Sequence, residues 1–501
     1  MAKLQRVLIA NRGEIAVRIV RTLRELGRTS IALFSEPDRV AQHVLVADEA
    51  YAIGPGPSRE SYLNAERVIA TAKRVRADAI HPGYGFFAEN AEFASACEAA
   101  GIAFIGPRPA TISGLGDKLA ARAAAKRAGV PVVPGSDGPV GTLEQARAAA
   151  KTIGWPLMLK AAAGGGGKGM RIVRSEAELA GAWELTRGEA RSAFGDDRVF
   201  IERAIERPRH VEAQILADST GRVAFLGERE CSIQRRHQKL VEESPSPAFD
   251  TAIRREFGEA AVRIAREVGY LSAGTVEFIM DEERRFYFLE VNTRLQVEHP
   301  VTEMVTGLDL VEEQIRVAEG GELSFGDAAP EPRGWSLETR ILAEDPARGF
   351  LPSVGRIERV RFPSGPGVRV DGGIYRGCEI PIHYDSLLSK LVTWGRDRDQ
   401  ARRRMLRALG EFVLEGPQHN IAFHRWLFAH PEFVSGRLST RFLEQHFEPG
   451  VLDPDDAVRE SALLAAALHQ RDERLRTTIG RREDGAGPSA WKWAPRARGR
   501  S

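Results

Sequence analysis

Short apolar runs alternate with amphipathic stretches through the first third of the chain. Arg6–Ala10 (RVLIA) reads as a buried strand ending at Asn11-Arg12-Gly13, and Ile15, Ile19, Val20 and Leu23 then recur at helical spacing. Ser30–Phe34 predicts a second strand, Leu63–Arg74 a helix, Asp78–His81 a strand, Asn90–Ala100 a helix and Ala103–Ile105 a strand. This rhythm predicts a doubly wound parallel sheet, whose ligands sit beyond the strand C-termini. Two such ends carry unusual loops, residues 10–14 (ANRGE) and 81–86 (HPGYGF).

A second pattern begins near Asp117-Lys118 with an Ala-rich helix, followed by a linker-like Val132-Val133-Pro134-Gly135. Strands are predicted at Leu157–Ala162, Met170–Val173 and Val199–Ala204, with a helix over Ser175–Phe194 capped by Ser175. Residues 133–204 have the size of a mobile lid. From His210 the chain is richer in strands: Val211–Leu216, Val223–Glu230, Thr275–Met280 and Arg285–Val291, with helices at Thr251–Gly269 and Leu308–Gly320. Beyond Trp335 come Leu337–Leu342, Val368–Tyr375 and Leu391–Trp394 as strands and Asp397–Glu411 as a helix. The expected domains are therefore 1–116, 117–334 and 335–447. Residues 448–501 read as a loosely ordered, Arg-rich tail too poor in apolar residues for a core.

Composition narrows the class. Apolar residues make up 43% and charged residues 28%, with Lys+Arg at 71 against Asp+Glu at 69, a net charge of +2. That balance speaks against a nucleic-acid binder. Cys97, Cys231 and Cys378 are distant and odd in number, which argues for a reducing compartment and against a disulfide framework. No apolar run approaches the roughly 20 residues of a membrane span, and the N-terminus enters a strand directly, so a cytoplasmic protein is expected.

The chemistry lies in three places. Residues 160–170 (KAAAGGGGKGM) form a glycine run flanked by lysines between two strands, suited to an anion such as phosphate, or simply a flexible hairpin loop. Thr275–Met280 and Phe286–Asn292 flank a charged turn. Centring that turn on Glu283-Arg284 sets Glu277 opposite Glu290, about 5 Å apart, with Asn292 on the same face. Two carboxylates and an amide oxygen suit a hard cation such as Mg²⁺; the alternative is a solvated sheet face. Arg294, Gln296 and Glu298 follow in alternation and share a face if the chain stays extended, giving an oxyanion site with a neighbouring base that Arg294 keeps ionised. A third polar run, Glu228–Lys239, is too dense for a core strand and reads as a solvated face or a nucleotide and anion contact line.

Eight segments in order carry a resemblance: HPGYGF, GDK, LMLKAAAGGGGKGM, ERPRHVEAQILAD, ERECSIQRRHQKLVEE, TVEF, EVNTRLQVEHPVTE and TRILAEDP. Over residues 4 to 447 the chain resembles the biotin carboxylase family of ATP-grasp ligases. The resemblance implies an α/β fold: the parallel N-terminal sheet, an ATP-grasp fold with a mobile lid, and a strand-rich α+β C-terminal domain. It places ATP on Lys118, Lys160, Gly166, Gly167, Met170, Glu202, Arg203, Ala204, Ile205, His210, Gln234 and His237. It places Mg²⁺ (or Mn²⁺) on Glu277, Glu290 and Asn292, and bicarbonate on Lys239, Arg294, Gln296 and Val297 with Glu298 as base. Arg340 would stabilise the biotin enolate and Tyr84 would line the biotin pocket. The implied reaction is ATP- and bicarbonate-dependent carboxylation of biotin through carboxyphosphate, the first half-reaction of an acetyl-CoA or related acyl-CoA carboxylase. Implied partners are a biotin carboxyl carrier protein, carboxyltransferase subunits and a second copy of the chain. Lys168 stands where the family often has Arg, and Pro366 where some relatives place an aromatic at the dimer contact; Arg21 and Glu25 are the other dimer candidates. No Met-Lys-Met occurs, so a separate, non-biotinylated subunit is expected. Another ATP-grasp ligase, or a silent regulatory subunit, are the competing readings.

Overall fold

The computed structural model describes residues 3–136, 138–161, 169–326, 328–453 and 456–480. It divides into two units, Met1–Glu448 and Pro449–Ser501. The first begins with β1 (Arg6–Ile9), α1 (Gly13–Glu25), β2 (Thr29–Ser35), β3 (Glu49–Gly54), β4 (Ala79–His81) and β5 (Ala103–Phe104). The strands form a parallel sheet in the order β3-β2-β1-β4-β5. Every strand that the alternation predicts is present, and Val7, Leu8 and Ile9 are fully buried because helices cover both faces. Asn64 and Asn90 cap the helices Ala65–Arg74 and Ala91–Ala99 by accepting hydrogen bonds from Arg67 N (3.0 Å) and Phe93 N (2.7 Å).

A separate antiparallel sheet, β6 (Leu157–Ala161), β7 (Met170–Val173) and β8 (Val199–Arg203), is ordered β7-β6-β8. With the helices Leu143–Ile153 and Glu176–Phe194 it encloses its own core of Val140, Leu157, Leu159, Trp183, Val199 and Ile201. Ser175 stands at the N-cap of the second helix without a side-chain capping bond. Residues 132–135 do not act as a free linker: Gly135 bridges to Glu202 and Val132 to Phe288.

The remaining strands are β9 (Arg209–Ala217), β10 (Val223–Arg235), β11 (Gln238–Ser244), β12 (Ser272–Met280), β13 (Phe286–Asn292) and β14 (Trp335–Leu342), with Val368–Gly372 and Leu387–Gly395. They make one eight-stranded sheet in the order β13-β12-β9-β10-β11-β14, then Leu387–Gly395 and Val368–Gly372. The sheet therefore runs on across residue 335. The helix Thr251–Glu267 covers one face through Phe257, Ala261 and Ile264, packed on Phe278 and Phe286. One expectation needs correcting: residues 228–234 continue β10 as a buried strand. Density of charge does not exclude burial here because the charges are paired. Glu228 meets Arg254 at 2.8 Å, Arg229 meets Glu212, and Glu230 meets Arg209 at 3.0 Å.

The second unit contains a helix, Asp456–Gly480, where the sequence reading expects only a loose tail. Its Ala- and Leu-rich stretch has the propensity for a helix, while its apolar residues Leu463, Leu464 and Leu468 are exposed. Among the described residues no helix is long and apolar enough to cross a membrane.

Candidate active site

The hairpin β12–β13 supplies the first carboxylates. Glu277 pairs with Glu290, Val276 with Val291 and Thr275 with Asn292, the register the turn argument requires. A bulge between Glu277 and Phe278 then shifts the pairing to Phe278–Phe288. It lies beside the opposed carboxylates, and Arg284 in the turn takes a φ of 64°. Burial works against ionisation of Glu277, yet Lys239 and His210 hold its carboxyl well below the usual range. Burial and the neighbouring Glu277 push Glu290 up. Asn292 Nδ2 donates to Glu277 Oε1 at 2.8 Å. A carboxyl raised by a like charge, opposite a second carboxylate and beside an amide, is a donor set that fits a hard dication. Two further groupings of possible ligand atoms, each within 4.8 Å, are His210, Glu212 and Glu277, and Glu212, Cys231 and Glu298.

Lys239, on β11, is the centre of the site. Its Nζ donates to Glu212 Oε2 at 2.6 Å, Glu277 Oε1 at 2.8 Å and Glu298 Oε1 at 2.7 Å. Burial alone would lower Lys239, but these carboxylates raise it well above its ordinary value. Glu298 ends the loop after β13 and is the residue before the helix His299–Thr306. Its Oε2 accepts from Arg340 Nη2 at 3.0 Å. Burial opposes its charge, and Lys239, Arg340 and Arg229 overcome that and hold the carboxyl far below its usual range. Residues 293–298 are not an extended strand, so the alternation argument is not what brings these side chains together. Arg294 instead meets Gln296 Oε1 at 2.9 Å and Glu89 at 2.8 Å, and the cations that keep Glu298 ionised are Lys239, Arg340 and Arg229.

Arg340 projects from β14, where Glu242 Oε1 accepts from its Nε at 2.8 Å. Burial raises the Glu242 carboxyl to about 7, against the pull of Arg340. Glu338, on the same face two residues earlier, has neither oxygen paired among the described residues, and burial pushes it well above the ordinary range. The guanidinium thus sits between one carboxylate held ionised and another raised to about 7.

The phosphate-side candidates lie toward the small sheet. Lys160 Nζ meets Glu202 Oε2 at 2.5 Å, and Arg122 meets the other oxygen at 2.7 Å. Lys118 opens a helix whose N-cap, Asp117, accepts from Ala120 N at 2.8 Å. His210 Nε2 lies 2.9 Å from Glu277 Oε2, and its Nδ1 lies 2.7 Å from Gln234 Nε2. Burial lowers His210, but Glu277 outweighs it and raises the ring. His237, with Arg236, forms the positive-φ turn between β10 and β11, and burial with nearby His210 lowers its ring. Met170, Arg203, Ala204 and Ile205 border the same sheet. Gly166 and Gly167 lie outside the described residues.

Sequence reasoning missed Glu212, Arg229, Glu242, Glu338 and Glu89. The first two had a signal: His210, Glu212 and Gln214 alternate with apolar residues, and Glu212 pairs with Arg229 across β9 and β10. Arg229 donates to Gln214, Thr275 and Thr302 as well, so every nitrogen of this buried guanidinium has a partner.

The chain matches the family descriptions "Biotin carboxylase, N-terminal domain" over residues 3–112, "Carbamoyl-phosphate synthase L chain, ATP binding domain" over 117–325, and "Biotin carboxylase C-terminal domain" over 338–445. It is 54% identical to biotin carboxylase 1 of Bacillus subtilis (strain 168), across 88% of this chain and 99% of that one. The chain belongs to the biotin carboxylase family. It is also 47% identical to the propionyl-CoA carboxylase alpha chain of Ruegeria pomeroyi, over 96% of this chain and 74% of that one, an alignment extending into the second unit. Among solved structures, the biotin carboxylase domain dimer of Hydrogenobacter thermophilus 2-oxoglutarate carboxylase, in complex with MgADP, ADP and bicarbonate, superposes with a TM-score of 0.86. The two are 48% identical, over 91% of this chain and 100% of that one.

Proposed function

We propose that this member of the family is a ligase that carboxylates biotin with ATP and bicarbonate, through the residues assembled around Lys239. The observation that carries the reading is Glu298: a buried carboxylate held ionised between Lys239 and Arg340, and sharing Lys239 with Glu277. Bicarbonate would enter against Lys239, Arg294, Gln296 and the Val297 backbone. Its negative charge competes for Lys239 and Arg340, which loosens their hold on Glu298 and raises its basicity where a base is needed. Glu298 takes the bicarbonate proton, and an oxygen of bicarbonate attacks the γ-phosphorus of ATP, giving carboxyphosphate and ADP. Lys118, Lys160, Gly166, Gly167, Met170, Glu202, Arg203, Ala204, Ile205, His210, Gln234 and His237 would hold the nucleotide. Glu277, Glu290 and Asn292 would hold Mg²⁺, which when bound supplies positive charge to the phosphate oxygens.

Carboxyphosphate breaks to CO₂ and phosphate, phosphate takes the N1 proton of biotin, and the resulting enolate attacks CO₂. Arg340 is the cation for that enolate oxygen once it exchanges Glu298 for substrate, and Tyr84 borders the ring's pocket. The biotin would be carried by a separate carrier protein, with carboxyltransferase subunits completing the pathway, a second copy of the chain as dimer partner and the cytoplasm as location. Arg21 and Glu25 are exposed on α1 and remain the dimer candidates.

ADP release by the purified chain with MgATP, with and without bicarbonate and free biotin, tests the reading. Turnover should require bicarbonate and be stimulated by biotin. ATP cleavage indifferent to bicarbonate would point to another ATP-grasp ligase, and absence of turnover to a regulatory subunit.

A further inference from the structure

Beside the pocket lies a buried pair that the reaction as described does not use. Glu14 sits in the first turn of α1 and is 4% exposed, and Lys390 on the strand Leu387–Gly395 is fully buried. Lys390 Nζ donates to the Val297 carbonyl at 2.7 Å and lies 3.3 Å from Glu14 Oε1. The Tyr84 hydroxyl donates to the same Oε1, and Lys390 Nζ stands 5.9 Å from the centre of the Tyr84 ring. Glu14 Oε2 is buried and has no partner among the described residues.

The backbone around the pair is equally constrained. Asn11 Nδ2 donates to the carbonyls of Pro82 and Tyr84, each at 2.7 Å, fixing the loop that bears Tyr84. Gly373 approaches so closely that a Cβ there would lie 2.9 Å from Glu14 N. Three segments remote in sequence thus meet at one lysine: the start of α1, the loop 82–86 and the loop bearing Val297. Val297 and Tyr84 are the groups assigned above to bicarbonate and biotin, and Glu14 and Lys390 contact them.

We propose that Glu14 and Lys390 are positioning residues of the acceptor pocket, tying the Tyr84 phenol and the Val297 carbonyl into one frame that sets where biotin stands relative to bicarbonate. The inference rests on the functional reading above. An unpartnered, buried carboxylate oxygen makes the frame sensitive to protons. Burial raises Glu14 to about 7, assisted by Asp371 and opposed by Lys390 and Arg369. The groups facing it are Tyr84 from the loop, Lys390 from its own strand, and Arg369 and Asp371 from Val368–Gly372. Below that pH Glu14 is neutral and its hold on Tyr84 and Lys390 weakens; above it the frame is complete.

The test is the KM for free biotin in bicarbonate-dependent ADP release, across pH 6 to 8.5 at fixed calculated bicarbonate concentration. The wild-type KM should fall about tenfold through pH 7, the scale of one hydrogen bond to a charged group. Glu14→Gln should raise it about tenfold at pH 8 and flatten the profile. Tyr84→Phe should do the same, and the double variant should be no worse than the worse single one, because both remove one interaction. Tyr84→Phe carries the test if Glu14→Gln does not fold. The KM for ATP, followed in parallel, should keep one pH profile in every variant. A wild-type step at neutral pH surviving in both single variants, or additive effects in the double variant, would overturn the proposal. A wild-type chain without bicarbonate-dependent turnover would overturn the functional reading, and this inference with it.

Discussion

Glu298→Gln removes one charge and keeps the shape of the side chain. Lys239 and Arg340 approach this carboxylate at 2.7 and 3.0 Å. At an effective dielectric of about 20 each contact is worth roughly 6 kcal/mol before desolvation, so the charge, not the packing, is what the substitution tests. The site survives the loss because Lys239 keeps Glu212 and Glu277, and Arg340 keeps Glu242. Removing a general base costs about 10²–10⁴ in rate, or roughly 3–5.5 kcal/mol in the barrier to phosphoryl transfer from ATP. Bicarbonate-dependent ADP release should fall by that factor with or without biotin, while ATP affinity changes little. Stability gives an independent readout. Glu298 is depressed in the folded chain, so its contribution is complete above the ordinary glutamate value of about 4.3 and is lost as the pH falls toward the folded value. The variant's deficit in Tm should therefore be largest at neutral pH and shrink below about pH 4. Near-normal bicarbonate-dependent turnover in a folded Glu298→Gln chain would refute the assignment of the base.

Arg340→Ala should separate the two half-steps. Biotin carboxylation should drop by about 10²-fold or more while the slow biotin-independent ATP cleavage is spared relative to it; equal losses in both assays would argue against an enolate role. Glu290→Gln should raise the Mg²⁺ concentration needed for half-maximal turnover at least several-fold, measured by metal titration, and an unchanged titration would remove Glu290 from the metal site. Arg229→Leu strands Glu212 in the interior with Lys239 as its remaining cation, and urea unfolding should show a loss of about 3–5 kcal/mol. A loss below about 1 kcal/mol would mean that Glu212 takes up a proton at little cost.

The parts legible in the sequence are those fixed by local period. The parallel sheet follows from alternation of strand and helix. The Glu277–Glu290 pairing is reached from a turn centred on Glu283-Arg284, whereas Met280 pairs with Phe286 about Glu283 alone and the bulge beside Phe278 restores the expected register at Glu277. The Glu228–Gln234 run was illegible for a physical reason. A charged residue in a strand faces water or a partner, and the partners of these residues, Glu212 and Arg209 on β9 and Arg254 on a helix, come from elsewhere in the sequence. Glu298 and Arg340 stand 42 residues apart in sequence and meet only because β14 joins the sheet next to β11. Glu14 belongs to the unusual loop 10–14, but nothing local links it to Lys390, a lone charge in an apolar strand 376 residues on; only the closing of α1 against the strand Leu387–Gly395 gives the two a common purpose.

The central claim is that bicarbonate is phosphorylated by ATP in the cleft around Lys239 and Glu298. Supplying ¹⁸O-labelled bicarbonate and measuring the isotopic content of the released phosphate tests it most directly. Attack by a bicarbonate oxygen on the γ-phosphorus leaves that oxygen on phosphorus when carboxyphosphate breaks down, so phosphate formed by the wild-type chain should carry one ¹⁸O per turnover. Phosphate released in step with ADP but free of label would show that water, not bicarbonate, attacks ATP, and would contradict the account.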